Sequence, residues 1–522
     1  MARKVLTNFV GGIHRSEVDK VSLSWSENMY PETVDGDQSS TNKILLSVNG
    51  QLPAFTFDDG PCRGLFRASR GINGSPVLFG CFGGSIYVIR NNSGRISAAR
   101  IGGVNEASTP VSFAETGGEG SAHPHVVIVD GLSCYAVRSD LDNAGMKADW
   151  RNINLPAKVG AESLSNKIKP THVAYLYGYL VVNDSQTDAF YTSIHYPFET
   201  TDSDGNIDYD IFYASQTSEY AGYGFVTYAE WMPDNITAIT SNGSYLYAFG
   251  PRSVQVFSYR DDVNYPFVSP DSACEAIGIR ATYSVASCGP YIAWLGSSDI
   301  GQNGVYIMEG ATKKRVSTNY IEAEIAKMSN PEDAIGQMWS ERQHVFYAIT
   351  FITDKKTFVY DLTEGEWHSR SSYNNGYWRL CHACFAYNRI FFGSVEDGAL
   401  SAQDESTFTE YDGKPIVRTR RGGVVFSDNS PFYCDAFELE CNNGQISMTE
   451  INPSVVLCYS VDGGAFTDKF IGNMGGIGRY DYRTAWYRLG LCRFLTVEVT
   501  VSDPVDFSIL GAKIDATACS MM

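Results

Sequence analysis

The chain has 522 residues, 43% of them hydrophobic, so it can bury more than one core, and two or three domains are expected. Forty Lys and Arg against 59 Asp and Glu leave a formal charge of −19. A protein that grips nucleic acid through its phosphates needs the opposite balance or a dense basic stripe, so the charge argues against sequence-specific DNA binding.

In chain order, Met1-Ala2-Arg3-Lys4-Val5-Leu6 starts basic and apolar, but Asn8, Gly11, Gly12 and His14 break the stretch too early for a signal peptide. No later apolar run approaches the roughly twenty residues of a membrane helix. A soluble product made in a cytosol is expected, which would leave the twelve cysteines, for example Cys81, Cys288 and Cys458, mostly as free thiols buried in strands. The triplets at Asn91, Asn235 and Asn242 would then stay unglycosylated.

A motif then recurs about seven times: an apolar run, a tight turn, an aromatic-rich second run and a short third run. Residues 77–82 with 86–89 and 126–129 with 135–137 are the first, weaker copies. Residues 173–176 turn at Tyr177-Gly178 and return over 179–182, with 190–192 following. Residues 236–240 turn at Asn242-Gly243, return over 245–249 and continue at 254–257. Residues 283–286, the turn Gly289-Pro290, 291–295 and 305–308 make another copy, as do 345–350 with 357–360 and 390–392 with 399–400. Asn-Gly and Gly-Pro between β-branched and aromatic runs are hairpin signals, because those residues accept the backbone angles of a tight reversal.

Copies spaced roughly 45 to 65 residues apart fit four-stranded propeller blades better than solenoid repeats. Fourth strands are expected at 96–101, 150–155, 315–318 and 366–369. The fold class read from this pattern is all-β: a β-propeller of six or seven blades with little helix, the alternative being a large irregular β-sandwich. Helix is expected only over 320–328, where Ile321, Ile325 and Met328 share a face and Asn330-Pro331 ends the run. The domains follow as an N-terminal arm over 1–60, the propeller over 61–415 with an insertion projecting near 183–233, and a β-sandwich-like platform over 416–522.

The patterns that carry chemistry are sparse. No Walker-type loop, dinucleotide fingerprint or nucleophile elbow occurs. Cys381-His382-Ala383-Cys384 is half of a zinc-like pattern without a second half, so strand packing is its plainer reading. His123 and His125 have Pro124 between them and only Glu119 as a nearby carboxylate, which suits a loop better than a shared metal. Asp202, Asp204, Gly205, Asn206, Asp208 and Asp210 are rich in calcium ligands, but the Gly and closing Glu of an EF-hand loop are out of place. Arg418-Thr419-Arg420-Arg421 is the one dense basic stretch, expected as a solvated strand edge or a domain junction. Tyr459-Ser460-Val461-Asp462-Gly463-Gly464 matches the structural Asp-box turn of sialidase-type propellers, with Thr467 in the place of its Trp. No catalytic, cofactor-binding or metal-binding residue is assigned.

The ending has a further meaning. Residues 454–462 as a strand, Asp462-Gly463-Gly464, Gly478-Arg479-Tyr480 with Arg483, Trp486-Tyr487-Arg488-Leu489-Gly490, 494–501 and Asp503-Pro504 come in an order that resembles the end of the packaged-DNA stabilisation proteins of short-tailed bacteriophages, also called tail hub or nozzle proteins. The beginning, Asn28-Met29-Tyr30-Pro31-Glu32 and then Leu45-Leu46-Ser47-Val48-Asn49-Gly50, is similar to that family's opening, where Pro-Gly commonly replaces Asn49-Gly50. The two ends make up about a third of the chain.

The resemblance implies a structural, non-enzymatic virion tail protein, synthesised in the host bacterial cytoplasm, with a propeller per subunit and no cofactor. It implies a homohexamer docked on the portal-adaptor ring, with tail fibre or spike proteins and a tip plug or needle as further partners. Genomic DNA would be retained and later pass through the channel without sequence-specific binding. The alternative function is a glycan-binding or glycan-degrading virion propeller, suggested by the Asp-box-like turn and the many aromatics. Tyr480, Tyr482, Trp486 and Tyr487 are expected as ordinary core more than as interface.

Overall fold

The computed structural model describes residues 2–6, 8–15, 23–34, 42–117, 123–155, 168–199, 207, 209–212, 225–262, 265–270, 274–298, 301, 303–310, 312–427, 430–444 and 452–519. Among them, seven antiparallel meanders follow one another as propeller blades. Blade 1 is Cys62–Ala68, Val77–Phe82, Ser85–Asn92 and Arg95–Gly103. Blade 2 is Ser112–Glu115, His125–Val129, Cys134–Arg138 and Arg151–Ile153. Blade 3 is Val173–Leu176, Tyr179–Asn183, Ala189–Thr192 and Phe225–Tyr228. Blade 4 runs from Ala238–Asn242 through Tyr245–Phe249 and Val254–Tyr259 to Phe267–Val268. Blade 5 has a first strand in two pieces, Gly278–Ile279 and Ala286–Cys288, then Tyr291–Ser297, Asn303–Glu309 and Thr312–Arg315. Blade 6 is Ile335–Glu341, His344–Phe351, Lys356–Asp361 and Glu366–Ser369.

Blade 7 closes the ring with a strand from the other end of the chain. Leu380–Ala386, Arg389–Ser394 and Ala399–Asp404 are completed on the outer edge by Gly50–Thr56, in register from Gly50 opposite Asp404 to Thr56 opposite Ala399. Gly50 is required there, because a Cβ would lie 2.2 Å from the Thr407 carbonyl oxygen. A blade completed by a distant strand converts local pairing into ring closure, and it settles the blade count at seven.

Large residues at hairpin turns lock blades to their neighbours. Tyr177, Arg342 and Tyr387 each start a turn with φ near +50°, a region that side chains avoid. Each has a contact on the following blade: Tyr177 stacks on Tyr259, Arg342 meets Glu405, and the Tyr387 hydroxyl donates to the Ile89 carbonyl at 2.8 Å.

The second core is a β-sandwich built from both ends of the chain. One sheet runs Met29–Thr33, Lys43–Ser47, Ser508–Ala518, Phe432–Cys441, Thr484–Cys492, with Ala2–Val5 added beside Ser508–Ala518. The other contains Leu23–Glu27, Arg418–Arg421, Phe494–Val501, Ser454–Val461 and the edge strand Phe470–Asn473. Phe9, Phe437, Leu457, Leu495, Val499, Ile509 and Ile514 fill the space between them. The second sheet continues into blade 6 through Glu27 paired in parallel with Ser369. Residues 1–60, read above as one arm, therefore serve both cores.

The expected helix is present as Asn319–Ala326, with the Thr318 hydroxyl accepting from the Ile321 amide and Ile321 and Ile325 buried. A second helix, Asn143–Asp149, was not expected from the sequence; Asp142 caps it by accepting from the Gly145 amide at 2.7 Å. Of the insertion expected near 183–233, Phe198, Ile211 and Phe212 are buried against blades 2 and 3, while 200–206, 208 and 213–224 lie outside the described residues.

Candidate functional site

The two halves of the molecule meet on Asn28. Its backbone is left-handed at φ +55°, which suits Asn better than any other residue with a side chain except Asp. Its side-chain nitrogen donates to the Ser371 carbonyl at 3.0 Å and the Val417 carbonyl at 2.8 Å, while its oxygen accepts from the Ser371 amide at 3.1 Å. One side chain thus ties the sandwich's first sheet to the exit of blade 6 and to the return of the chain from blade 7.

The basic stretch lies at this junction and is not a solvated edge. Arg418 and Arg420 are wholly buried, each about 1% exposed. Arg420 donates to the carbonyls of Phe9 at 2.6 Å, Gly12 at 3.0 Å and Trp25 at 3.3 Å, and to the Ser24 hydroxyl at 2.8 Å. Burial brings its guanidinium down to about 9. Arg418 bonds the Asp503 and Phe408 carbonyls, and burial brings it down to about 10 against the opposing pull of Asp506 and Asp503. Arg421 pairs with Glu498 at 2.7 Å. Guanidinium forks spent on backbone carbonyls are unavailable to phosphate.

A buried polar cluster adjoins the junction on blade 6. His344 and Asp361 pair at 2.7 Å, both nearly inaccessible; burial pulls the imidazole down, but the carboxylate outweighs it and holds His344 above its ordinary value. Burial drives His368 well below its ordinary value, with Arg370 and His344 pushing the same way. Arg370 lies 4.9 Å over Trp339, 5.2 Å over Phe346 and 5.0 Å over Trp378. Tyr30, from the family-like opening, packs edge-on against His344 and Phe346 at 5.1 Å. Asn49 donates to Glu341 at 2.6 Å. Sequence reasoning missed the His344–Asp361 pair; the turn Asp361-Leu362-Thr363-Glu364, where Asp361 accepts from the Thr363 and Glu364 amides, was its one local signal.

The other sequence candidates are placed as follows. Cys381 and Cys384 are separated by a bulge in which His382 has φ +61°, and burial pushes both thiols up to about 12. His125 is buried against Phe198 at 4.2 Å and held down at about 4 by burial, whereas His123 faces Arg138 at 2.8 Å, so the two imidazoles do not share a ligand. Of the acidic stretch, Asp210 accepts from Asn154 at 2.7 Å; Asp202, Asp204, Gly205, Asn206 and Asp208 lie outside the described residues. The Asp-box-like turn sits in the sandwich, where Asp462 accepts from the amides of Arg493 and Phe494 and Ser460 donates to the Gly464 carbonyl. The described cysteines are free thiols, and among the described residues no cluster of His, Cys, Asp or Glu is arranged to hold a metal ion. No helix among them is long and apolar enough to cross a membrane.

The sandwich exposes apolar surface of mixed kind. Tyr433 and Leu491, directly opposite on neighbouring strands, and Tyr487 emerge on the outer face of one sheet. Phe470 and Ile471, the latter 77% exposed, lie on the free edge strand of the other. The C-terminal aromatics divide: Trp486 is core under Gly472, while Tyr480 and Tyr487 are exposed, which corrects the expectation that all four are ordinary core. On a strand, alternate residues take opposite faces, so an aromatic run cannot be all core.

Two domains of one family match the chain. Residues 163–408 match the family described as "Bacteriophage P22 Gp10, beta-propeller", and residues 418–517 match "Bacteriophage P22 Gp10, beta-sandwich". No curated protein matches the chain. Among solved structures, a nidogen/laminin complex covers 56% of this chain and 90% of its own at 11% identity and TM-score 0.31. The WD40 domain of Toxoplasma gondii coronin covers 74% and 88% at 9% identity and TM-score 0.36. A fungal alcohol oxidase with copper covers 91% and 100% at 10% identity and TM-score 0.38. At those scores the likenesses carry no argument about this protein.

Proposed function

We propose, from the premise that the chain belongs to the bacteriophage P22 Gp10 family and is a phage structural protein of the virion tail, that it forms the hub or nozzle below the portal-adaptor ring. There it closes the channel to retain packaged DNA and conducts the DNA on ejection. The observation that carries this reading is the pair of family domains in order, propeller then sandwich, over residues 163–517. The role is structural and non-enzymatic.

The assembly is a homohexameric ring. Closing a ring requires two different surfaces on each subunit that meet by rotation. The outer sheet face at Tyr433, Tyr487 and Leu491 and the free edge at Phe470 and Ile471 are two such surfaces on one rigid sandwich, each of the aromatic and aliphatic composition that contact cores favour. Joining the sandwich to blade 6 through a continuous sheet lets the propeller turn with it as one block. Fibre or spike proteins and a tip plug are its further partners. With 59 acidic against 40 basic residues, a bore not enriched in Lys or Arg would let DNA slide without trapping its phosphates.

The test is cryo-electron microscopy of the purified protein mixed with DNA-filled, tail-less capsids of its own virus. Six copies closed under the portal with DNA retained support the reading. Intact capsids that take up no copies overturn it, and rings of Lys or Arg along the bore overturn the charge argument.

A further inference from the structure

The one face of the propeller on which the first-to-second and third-to-fourth strand connections open carries a continuous row of aromatic rings across blades 3 and 4. Tyr196 lies 3.9 Å from His195, His195 4.8 Å from Tyr179, Tyr179 6.4 Å from Tyr259, and Tyr259 4.6 Å from Tyr177. The row combines three separate loops. Tyr177 belongs to the first turn of blade 3, His195 and Tyr196 follow its third strand, and Tyr259 ends the third strand of blade 4.

Packing between blades accounts for part of the arrangement, since Tyr179 is buried and Tyr177 stacks on Tyr259, but it leaves rings at the surface. Tyr177 and Tyr196 both sit at φ +50°, a conformation unfavourable for tyrosine, yet their rings are 45% and 37% exposed. Strain kept at side chains that stay partly exposed, where stacking on Tyr259 and His195 offsets only part of it, points to a further use for those rings. Gly178 belongs to the same arrangement, since a Cβ there would lie 2.7 Å from the His195 ring.

The chemistry around the row selects the ligand. Among the described residues, the large apolar side chains exposed along these turns are tyrosines, Tyr177, Tyr196, Tyr245 and Tyr265. The sandwich surfaces, by contrast, mix Ile, Leu and Phe with Tyr. A protein contact core favours that mixture; a sugar favours rings and hydroxyls, because the C–H faces of a pyranose are weakly positive and rest on the negative face of an aromatic ring. Asp261 accepts from the Tyr259 hydroxyl at 3.4 Å, and Asp262 pairs with Arg260 at 2.6 Å, so acceptors and donors for sugar hydroxyls stand at the rim. Glu199 adds another carboxylate, three residues after Tyr196. The same carboxylates repel a nucleic acid strand or an anionic glycan.

We propose that Tyr177, Tyr196 and Tyr259 form a stacking site for the pyranose rings of an uncharged glycan. The site is independent of the tail placement, since it needs neither a ring of subunits nor DNA. The full-length chain is titrated by saturation-transfer NMR with maltohexaose, cellotetraose and chitotetraose as probes and a thymidine decanucleotide as the polyanion. Transfer to at least one saccharide is expected, with the dissociation constant raised at least tenfold by Tyr259→Ala and by Tyr177→Asn, and unchanged by Tyr228→Ala at the opposite end of blade 3. Asn suits the left-handed turn but gives up the stacking on Tyr259, so Tyr177→Asn should change the melting temperature little while binding falls, which separates recognition from folding. Absence of transfer to every saccharide overturns the proposal, as does transfer that survives Tyr177→Asn and Tyr259→Ala, or transfer to the oligonucleotide alone.

Discussion

The propeller and the sandwich differ in the polar groups they enclose, although both bury arginines that gather backbone carbonyls, Arg63 in blade 1 bonding those of Gly83, Asn105 and Thr109. The propeller encloses histidines: His125 and His368 are buried and His172 and His382 half-buried, and desolvation holds His125, His172 and His382 down at about 4 and His368 well below its ordinary value. The sandwich strands contributed by residues 418–517 contain no histidine; their buried charges are Arg418 and Arg420, which stay ionised and bond backbone carbonyls. A ring of blades closes by shape, so it tolerates neutral imidazoles between its sheets beside buried charges such as the His344–Asp361 pair. A sandwich assembled from the two chain ends has to be held in register, and guanidinium forks that gather carbonyls from several segments do that.

The sharpest way to break this contrast is Arg420→Ala, which leaves three backbone carbonyls and a hydroxyl without their donor. It should cost about 3–4 kcal/mol in denaturant unfolding, and Arg420→Lys should recover only part, because an ammonium cannot span the same fork. Asn28→Ala comes next, at about 2–3 kcal/mol from lost hydrogen bonds and left-handed backbone strain together. Asn28→Gly should lose less, since only the strain is relieved.

Acid sharpens the contrast from the other side. The buried histidines bind protons in the unfolded chain near pH 6.5 but not in the folded propeller, so stability should fall as pH drops from about 6.5 towards 4. Thermal unfolding followed across that range checks it, and His125→Phe should shallow the slope. His344 has the opposite sign: its folded value is raised, so its contribution is complete below about 6.5 and is lost as pH rises through that folded value. Asp361→Asn should remove that alkaline decline.

The smallest stability change is expected from Ile471→Lys, within about 0.5 kcal/mol, because the side chain is 77% exposed. Its effect should appear in assembly, as loss of ring formation on capsids with the melting temperature unchanged. A variant that still forms rings would show that the free edge is not an assembly surface.

Much of the fold was legible because hairpins are local. The turns Tyr177-Gly178, Asn242-Gly243 and Gly289-Pro290 all sit between first and second blade strands, and periodicity placed the Asn319–Ala326 helix to within two residues. The helix at Asn143–Asp149 was missed because only a two-sided burial pattern would have revealed it, and one buried residue, Met146, carries none. The junction was visible only as short motifs: Asn28-Met29-Tyr30 and Arg418-Thr419-Arg420-Arg421 stood out, yet nothing in either indicated the other as its neighbour.

The sequence by itself determined the all-β class, the repeated meander and the two-part organisation, since strand alternation and turn residues act over a few neighbours. Only the tertiary structure decided that Gly50–Thr56 completes blade 7, that Leu6, Phe9, Met29 and Leu45 share a core with the last hundred residues, and that Tyr177, Tyr196 and Tyr259 stand in one row. Those contacts join residues far apart in the chain, and what selects them is the free energy of closing a ring and covering two sheet faces, a property of the whole molecule and of no local stretch.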